Sequence, residues 1–375
     1  MIVLTILIPI IYTLIILFFV KGFNQVKSFI SYEKATKIRF TIIIPFRNEA
    51  LNLPNLLHSI SLLQYPKSKF EILMINDESI DEFESIIQNF KLKNSDIDIS
   101  VLQNERKSNS PKKDAISLGV KMSKYEWILT TDADCELPAK WLKTYDGFIQ
   151  KESPKMIVGP VTFKTEDKFL FNFQTLDLLS LQGSTIGGFG IKKPFLCNGA
   201  NLCYHKITFD KLDGFKGNDS VASGDDIFLL EKMVNQFPDQ VHYLKSTQAI
   251  VQTKPENNFK DLVQQRIRWA SKTSSYHNSF GKFIGIIVFM TNLLLVILLI
   301  MAVFHKVSWQ YFGFIFLLKF NVDFVLLYKT ATFFDQQSVL KHYFISSLIH
   351  PFFIVYVAIL SLNRSYQWKG RKFNK

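Results

Sequence analysis

The sequence predicts an α/β domain with a largely parallel sheet, bracketed along the chain by membrane-crossing helices. Three observations predict it: uncharged apolar runs near both ends, three short apolar runs between them that each end in acids, and helical stretches separating those runs. Parallel strands need crossover connections, and the intervening helices supply them.

The first element is the run at residues 1–20, MIVLTILIPIIYTLIILFFV, which carries no charge. It has the length of about 20 residues that a helix needs to cross the hydrocarbon layer. A cleaved leader would show a basic start and an A-x-A-like site, and neither is visible, so a retained anchor is expected. Lys21, Lys27, Lys34, Lys37 and Arg39 follow, opposed only by Glu33, which places the next segment on the cytoplasmic side.

Residues 38–280 have ordinary globular composition and read as one domain. Phe40 to Ile44 runs into Pro45-Phe46-Arg47-Asn48-Glu49, Ile72 to Ile75 into Asn76-Asp77-Glu78-Ser79, and Trp127 to Thr131 into Asp132-Ala133-Asp134. Each reads as a buried strand. Leu51, Leu56, Ile60 and Leu63 mark a helix after the first, and Phe83, Ile86 and Ile87 one after the second. Ligands of such sheets bind at the carboxyl ends of the strands, so Glu49, Asp77, Asp132 and Asp134 are expected along one edge. Gathered carboxylates repel unless a cation sits among them. A hard divalent ion, Mg²⁺ or Mn²⁺, held by Asp132 and Asp134 together with a phosphate ligand, is the simplest answer. Asp81 reads as a turn former.

Lys112 and Lys113 open a helix leading to the Asp132 strand, where a nearby anion would offset their poor fit to the helix dipole. The glycine-rich run from Gln182 to Gly190 reads as a loop near the site. In Gly224-Asp225-Asp226, ahead of an apolar helical run, Asp225 is expected to take a cap or structural role and Asp226 to react. Gln265, Arg268 and Trp269 stand at i, i+3 and i+4, and so share one helical face. Arginine suits a diphosphate, and an indole suits the apolar face of a sugar. Three further apolar runs follow: 283–304, 309–328 and 343–362. The middle one holds Lys319 and Asp323, four apart and able to pair. Four crossings from outside would leave the basic tail, residues 363–375, on the side that the charge rule disfavours; an interfacial 309–328 would resolve the conflict, and both readings stay open.

Composition narrows the function classes. The chain has 375 residues, 44 Lys+Arg and 32 Asp+Glu, for a formal charge of +12. Yet 20% of residues are charged against 48% hydrophobic, and the mean hydropathy is +0.12. That excludes a disordered basic tail. No nucleic-acid motif occurs and the basic residues flank apolar spans, so no nucleic-acid partner is expected; membrane lipids are. Cys135, Cys197 and Cys203 form no CxxC pair, which argues against a zinc ribbon or a disulfide framework. Neither G-x-x-x-x-G-K-[ST] nor a G-x-G-x-x-G after a strand is present.

Taken in order, Thr41-Ile42-Ile43-Ile44-Pro45-Phe46-Arg47-Asn48-Glu49-Ala50, Asn76-Asp77-Glu78-Ser79, Lys113-Asp114-Ala115, Asp132-Ala133-Asp134, Asn198-Gly199-Ala200-Asn201, Gly224-Asp225-Asp226 and Gln265-Arg266-Ile267-Arg268-Trp269 resemble the motifs of membrane-bound family 2 glycosyltransferases. The resemblance spans roughly residues 40–272. It implies a GT-A type domain with a Rossmann-like mixed sheet, a nucleotide-sugar donor, a UDP-sugar above all, and inversion at the anomeric carbon. It assigns Pro45, Glu49, Asp77, Lys113 and Asp132 to the donor, Asp134 and Asp132 to the metal, and Asp226 to the catalytic base. Gln265, Arg268 and Trp269 match the QxxRW motif, for acceptor and diphosphate; Asp225, Asn198 and Lys112 are secondary candidates. The layout is similar to chitin-oligosaccharide, hyaluronan and ceramide-glucosylating synthases, which implies a cytoplasmic catalytic domain on a bacterial-type plasma membrane and a glycan or lipid acceptor. The chain has Asn76-Asp77-Glu78 where the family usually has two acids and a glycine, and Asp225 where it usually has Glu. The alternatives are a catalytically silent subunit of a polysaccharide assembly complex and a small transporter. Sugar, linkage, processivity and oligomeric state are left open.

Overall fold

The computed structural model describes residues 2–31, 35–164, 166–218, 224–271, 278–363, 366–368 and 371–373. Glu33, Lys34, Arg364, Lys369 and Lys375 lie outside them, so the charge pattern at those positions has no structural counterpart here. The chain divides into an α/β unit, residues 27–164 and 197–254, and an apolar helical unit, residues 1–26, 165–196 and 255–375. Residues 165–196 and 255–280, which the composition places within the soluble segment, therefore group with the apolar helices.

In the α/β unit, strands β1 (Phe40–Phe46), β2 (Phe70–Asn76), β3 (Asp98–Gln103), β4 (Trp127–Thr130), β5 (Met156–Val158), β7 (Leu202–His205) and β8 (Val241–Tyr243) form one sheet. Its order is β3-β2-β1-β4-β7-β5-β8, while β6 (Val161–Phe163) and β9 (Val251–Thr253) pair separately. Helices α2 (Leu53–Ser61), α3 (Phe83–Lys93), α4 (Pro111–Met122), α5 (Trp141–Glu152), α7 (Lys206–Lys211) and α8 (Asp225–Gln236) complete it. β2 is buried at every position and β1 at all but Pro45, as expected for central parallel strands covered on both faces. Their register sets Phe40 opposite Phe70 and Pro45 opposite Ile75. β4 joins β1 in parallel, as the βαβ pattern predicts. β7 instead runs antiparallel to β4, with Ile128 opposite Tyr204, which makes the sheet mixed. α4 lies close on β1 because Gly119 has no side chain: a Cβ there would stand 2.8 Å from Ile43 Cγ2.

Beneath the site, Asn201 is fully buried and its amide is fully used. Its Oδ1 accepts from Trp141 Nε1 at 2.9 Å and from the Tyr145 hydroxyl at 2.8 Å, and its Nδ2 donates to the carbonyls of Pro160 and Ala249. A satisfied buried amide of this kind fixes the backbone around it.

The helical unit holds α1 (Ile2–Gln25), α6 (Phe169–Gly190), α9 (Phe259–Ser271), α10 (Ser279–Val303), α11 (Trp309–Phe333), α12 (Tyr343–Asn363) and a short antiparallel ladder of β10 (Tyr366–Trp368) and β11 (Arg371–Phe373). Among the described residues, four segments, Thr5–Gln25, Ser279–Val303, Trp309–Phe333 and Gln337–Leu362, are long and apolar enough to cross a membrane. On α11, Lys319 and Asp323 pair at 2.5 Å, and Asp323 also accepts from the Tyr12 hydroxyl of α1 at 2.7 Å. Lys319 and Asp323, the two charges of the run 309–328, thus have partners within the helical unit.

The glycine-rich run is not a loop. It is the second half of the 22-residue helix α6, and its glycines let α6 and α1 touch backbone to backbone. A Cβ on Gly187 would stand 2.6 Å from the Phe19 carbonyl oxygen, and one on Gly22 would stand 2.1 Å from the Gly187 carbonyl oxygen. Small residues at such crossings serve close helix approach, which explains a glycine count that elsewhere signals a turn.

Candidate active site

The carboxyl ends of β1, β2 and β4 lie along one edge of the sheet, and the structure arranges their polar residues in two groups. The first surrounds Asp77, which is 6% exposed. Its Oδ1 accepts from Asn104 Nδ2 at 3.0 Å and from Arg106 Nε at 2.9 Å. Arg106 also pairs with Glu78 at 2.5 Å, and Arg47 Nη1 donates to the carbonyls of Asp77 and Glu78. Asn104 and Arg106 escaped the sequence reading. Their signal is the β2–β3 register, which sets Gln103 opposite Asn76 and so delivers the next residues to the same edge. Glu49 is buried and accepts from Asn52 Nδ2 at 2.7 Å, bracing the start of α2.

The second group is built from four elements: the end of β4, the turn Gly199–Asn201, and the N-termini of α4 and α8. Lys112 Nζ lies 2.6 Å from Asp132 Oδ1 and 3.6 Å from Asp225 Oδ2. Burial works against the charge on Lys112, but Asp132, Asp225 and Asp226 outweigh it and hold the ammonium well above its usual range. Asp226 is half-buried, and its two oxygens accept from the backbone amides of Gly199 at 3.2 Å and Ile227 at 2.9 Å. Thr130 Oγ1 donates to the Gly199 carbonyl at 2.9 Å, and Asn198 Oδ1 accepts from the Ala200 amide, so the turn is tied at both ends. Gly199 lets the acids and Lys112 close up against the turn. A Cβ there would stand 3.1 Å from Asp225 Oδ2 and 3.5 Å from Lys112 Nζ.

Two details sharpen the sequence expectations. Asp225 does not cap α8: the cap position is Gly224, in the left-handed region at φ 87°, where glycine is favoured, and Asp225 is the buried first residue of the helix, facing Lys112. Lys112, rather than Lys113, faces the acids. Adjacent helical residues point about 100° apart, and Lys113, 2% exposed, turns inward, donating to the Asn218 carbonyl with its Nζ 4.7 Å from the centre of the Phe228 ring.

Asp132 and Asp134 are both half-exposed. Among the described residues no group of three or more His, Cys, Asp or Glu is placed to hold a metal ion. The donor set still fits Mg²⁺ or Mn²⁺, which take one or two protein carboxylates and complete their shell with phosphates and water. Gln265, Arg268 and Trp269 lie on α9 in the helical unit and are all half-buried. Gln265 Nε2 donates to Glu256 Oε1 at 2.7 Å.

Comparison with known proteins agrees with this architecture. Over 175 residues the chain is 29% identical to the poly-beta-1,6-N-acetyl-D-glucosamine synthase of Staphylococcus epidermidis, covering 44% of this chain and 38% of that protein. Over 121 residues it is 26% identical to the poly(ribitol-phosphate) beta-N-acetylglucosaminyltransferase TarS of Staphylococcus aureus, covering 32% of this chain and 20% of that protein. The chain thus spans well under half the length of these curated relatives. The solved mannosyltransferase PcManGT of Pyrobaculum calidifontis, in complex with GDP-Man and Mn²⁺, superposes with a TM-score of 0.58 at 16% identity, over 92% of this chain and 98% of that one, and so shares its GT-A fold. The profile "Glycosyl transferase family 2" matches residues 41–208, and "Glycosyl transferase family group 2" matches residues 127–360. The second match alone covers more than half of the sequence, and with it the chain belongs to the family 2 glycosyltransferases.

Proposed function

We propose that the protein is an inverting glycosyltransferase that moves a sugar from a nucleotide-sugar donor, a UDP-sugar first among them, to a membrane-associated glycan or lipid acceptor. One observation carries the reading: Lys112 bridges Asp132, at the end of β4, and Asp225, at the start of α8, beside the half-buried Asp226, so that acids from two elements converge on one cation next to Gly199.

In the proposed reaction the nucleobase sits at Asp77, whose carboxylate is oriented by Arg106 and Asn104. The acceptor hydroxyl loses its proton to Asp226, and its oxygen bonds to the anomeric carbon. The bond from that carbon to the diphosphate breaks on the opposite face, and the nucleoside diphosphate leaves. Asp226 is oriented by the amides of Gly199 and Ile227. Lys112 offsets the repulsion among Asp132, Asp225 and Asp226 before the donor enters. Asp134 and Asp132 would hold a divalent ion, Mg²⁺ or Mn²⁺, which when bound neutralises charge on the leaving diphosphate. Arg268 and Gln265 serve the diphosphate, and Trp269 the acceptor sugar. The four long apolar helices would hold the protein in the membrane, with the catalytic unit on the cytoplasmic face. The test is release of nucleoside diphosphate when the full chain in detergent meets a panel of nucleotide sugars, UDP-N-acetylglucosamine included, with and without chelator. Release from none of them, with a suitable acceptor fraction of membranes present, would sink the reading.

A further inference from the structure

Beneath the QxxRW face of α9 lies a buried polar cluster that the proposed reaction leaves without a role. We propose that Arg266 and Asp177 are a positioning pair that sets Trp269 for the acceptor and steadies Gln265 beside it; the proposal rests on the transfer reaction described above. Arg266 is the residue of the motif segment that faces inward, at 6% exposure. Its Nε lies 2.7 Å from Asp177 Oδ2 on α6, and Asp177 Oδ1 lies 3.3 Å from His350 Nε2 on α12.

The remaining faces of the guanidinium are directed sideways, at the motif. Nη1 donates to Gln265 Oε1, and the guanidinium carbon sits 4.1 Å from the centre of the Trp269 ring. The Gln265 amide is held from its other end by Glu256, whose backbone amide and carbonyl are both bound to Gln174 of α6. Thus α6 reaches Gln265 by two routes, one through Arg266 and one through Glu256. A cation stacked on one side of an indole restrains its tilt and leaves the other side for a sugar ring.

Anchoring α9 does not require this arrangement. Leu262, Val263 and Ile267 already pack against Phe173, Phe353 and Val357. Buried ion pairs are commonly replaceable by apolar groups without loss of stability. Arg266 Nη2 is moreover buried with no hydrogen-bond partner among the described residues. A residue kept for packing alone would be better satisfied as an aliphatic one. A planar, forked cation is what is needed to reach an acid, an amide and a ring face together.

The test uses the full chain in detergent micelles and two variants. The double variant Asp177→Asn/Arg266→Gln removes both charges at once, so neither is left buried alone. Arg266→Lys keeps the charge but loses the fork. Two readouts are taken: the near-UV circular dichroism contributed by Trp269, obtained by subtracting the matching Trp269→Phe protein, and the kinetics of transfer from UDP-N-acetylglucosamine to octyl N-acetyl-β-glucosaminide. Both variants should lose the Trp269 signal and raise the acceptor KM about tenfold, with kcat changing less than about twofold. A double variant that melts with the wild type and keeps the Trp269 signal overturns the pair, as does a lost signal with an unchanged acceptor KM. If the wild type transfers from no nucleotide sugar, the reaction proposed above fails by itself, and the Trp269 signal still decides whether the pair sets the ring.

Discussion

Replacing Lys112 by Met removes the one described cation bonded to Asp132 and keeps most of the buried stem. Its Nζ stands 2.6 Å from Asp132 and 3.6 Å from Asp225, with the side chains of Lys112, Asp132 and Asp225 exposed by 20%, 35% and 10%. At an effective dielectric of about 20, contacts of that length are worth roughly 6 and 5 kcal/mol before desolvation. Breaking a buried pair costs about 3–5 kcal/mol, and the solvent reaching Asp132 lowers the net figure to about 2–3 kcal/mol. For a unit of this size that corresponds to a fall of about 5–10 °C in the midpoint of thermal unfolding.

The pH dependence follows from the raised pKa of Lys112. A lysine whose folded-state pKa lies above its unfolded value, about 10.4, contributes its full stability below that value and loses it only as pH rises through the folded one. The difference between wild type and Lys112→Met should therefore stay constant from about pH 6 to about pH 9. Differential scanning fluorimetry across that range measures it. Transfer should fall at least tenfold or so in the variant, because the acids lose the charge that balances them. A midpoint within about 1 °C of wild type, or a gap that closes below about pH 9, would refute the reasoning.

Asp226→Asn should lower transfer by about 10²–10⁴-fold while nucleoside diphosphate still binds in titration calorimetry, and retained turnover would remove Asp226 from the base role. Removing divalent ions with chelator should stop release of nucleoside diphosphate, with activity recovered on adding Mg²⁺ or Mn²⁺; transfer that persists in chelator would exclude Asp134 and Asp132 as metal ligands in the reaction. Gly187→Ala should destabilise the packing of α6 on α1 by about 1–3 kcal/mol, since its Cβ would meet the Phe19 carbonyl oxygen at 2.6 Å, and an unchanged midpoint would show that the helices can separate without cost.

Much of this protein is written in short stretches of its chain. The charge-free runs that become α1, α10 and α12, and the strands around Ile42, Leu73 and Leu129 with acids at their ends, are local patterns, and local patterns suffice for membrane helices and buried strands. The spacing of Lys319 and Asp323 likewise predicts their pairing, because residues four apart on a helix are neighbours. Tertiary structure decided what local pattern cannot carry. Whether Lys112 or Lys113 meets the acids depends on which side of α4 lies against β1; Gly119 sets that contact, and the bond to Asp132 spans 20 positions. The antiparallel β7, the arrival of Arg106 at Asp77 and the bond from Arg266 to Asp177, 89 positions apart, come from packing between distant segments. The glycines of α6 read as a loop for the same reason: their use is a close approach to another helix, and the sequence around them holds no trace of the surface they meet.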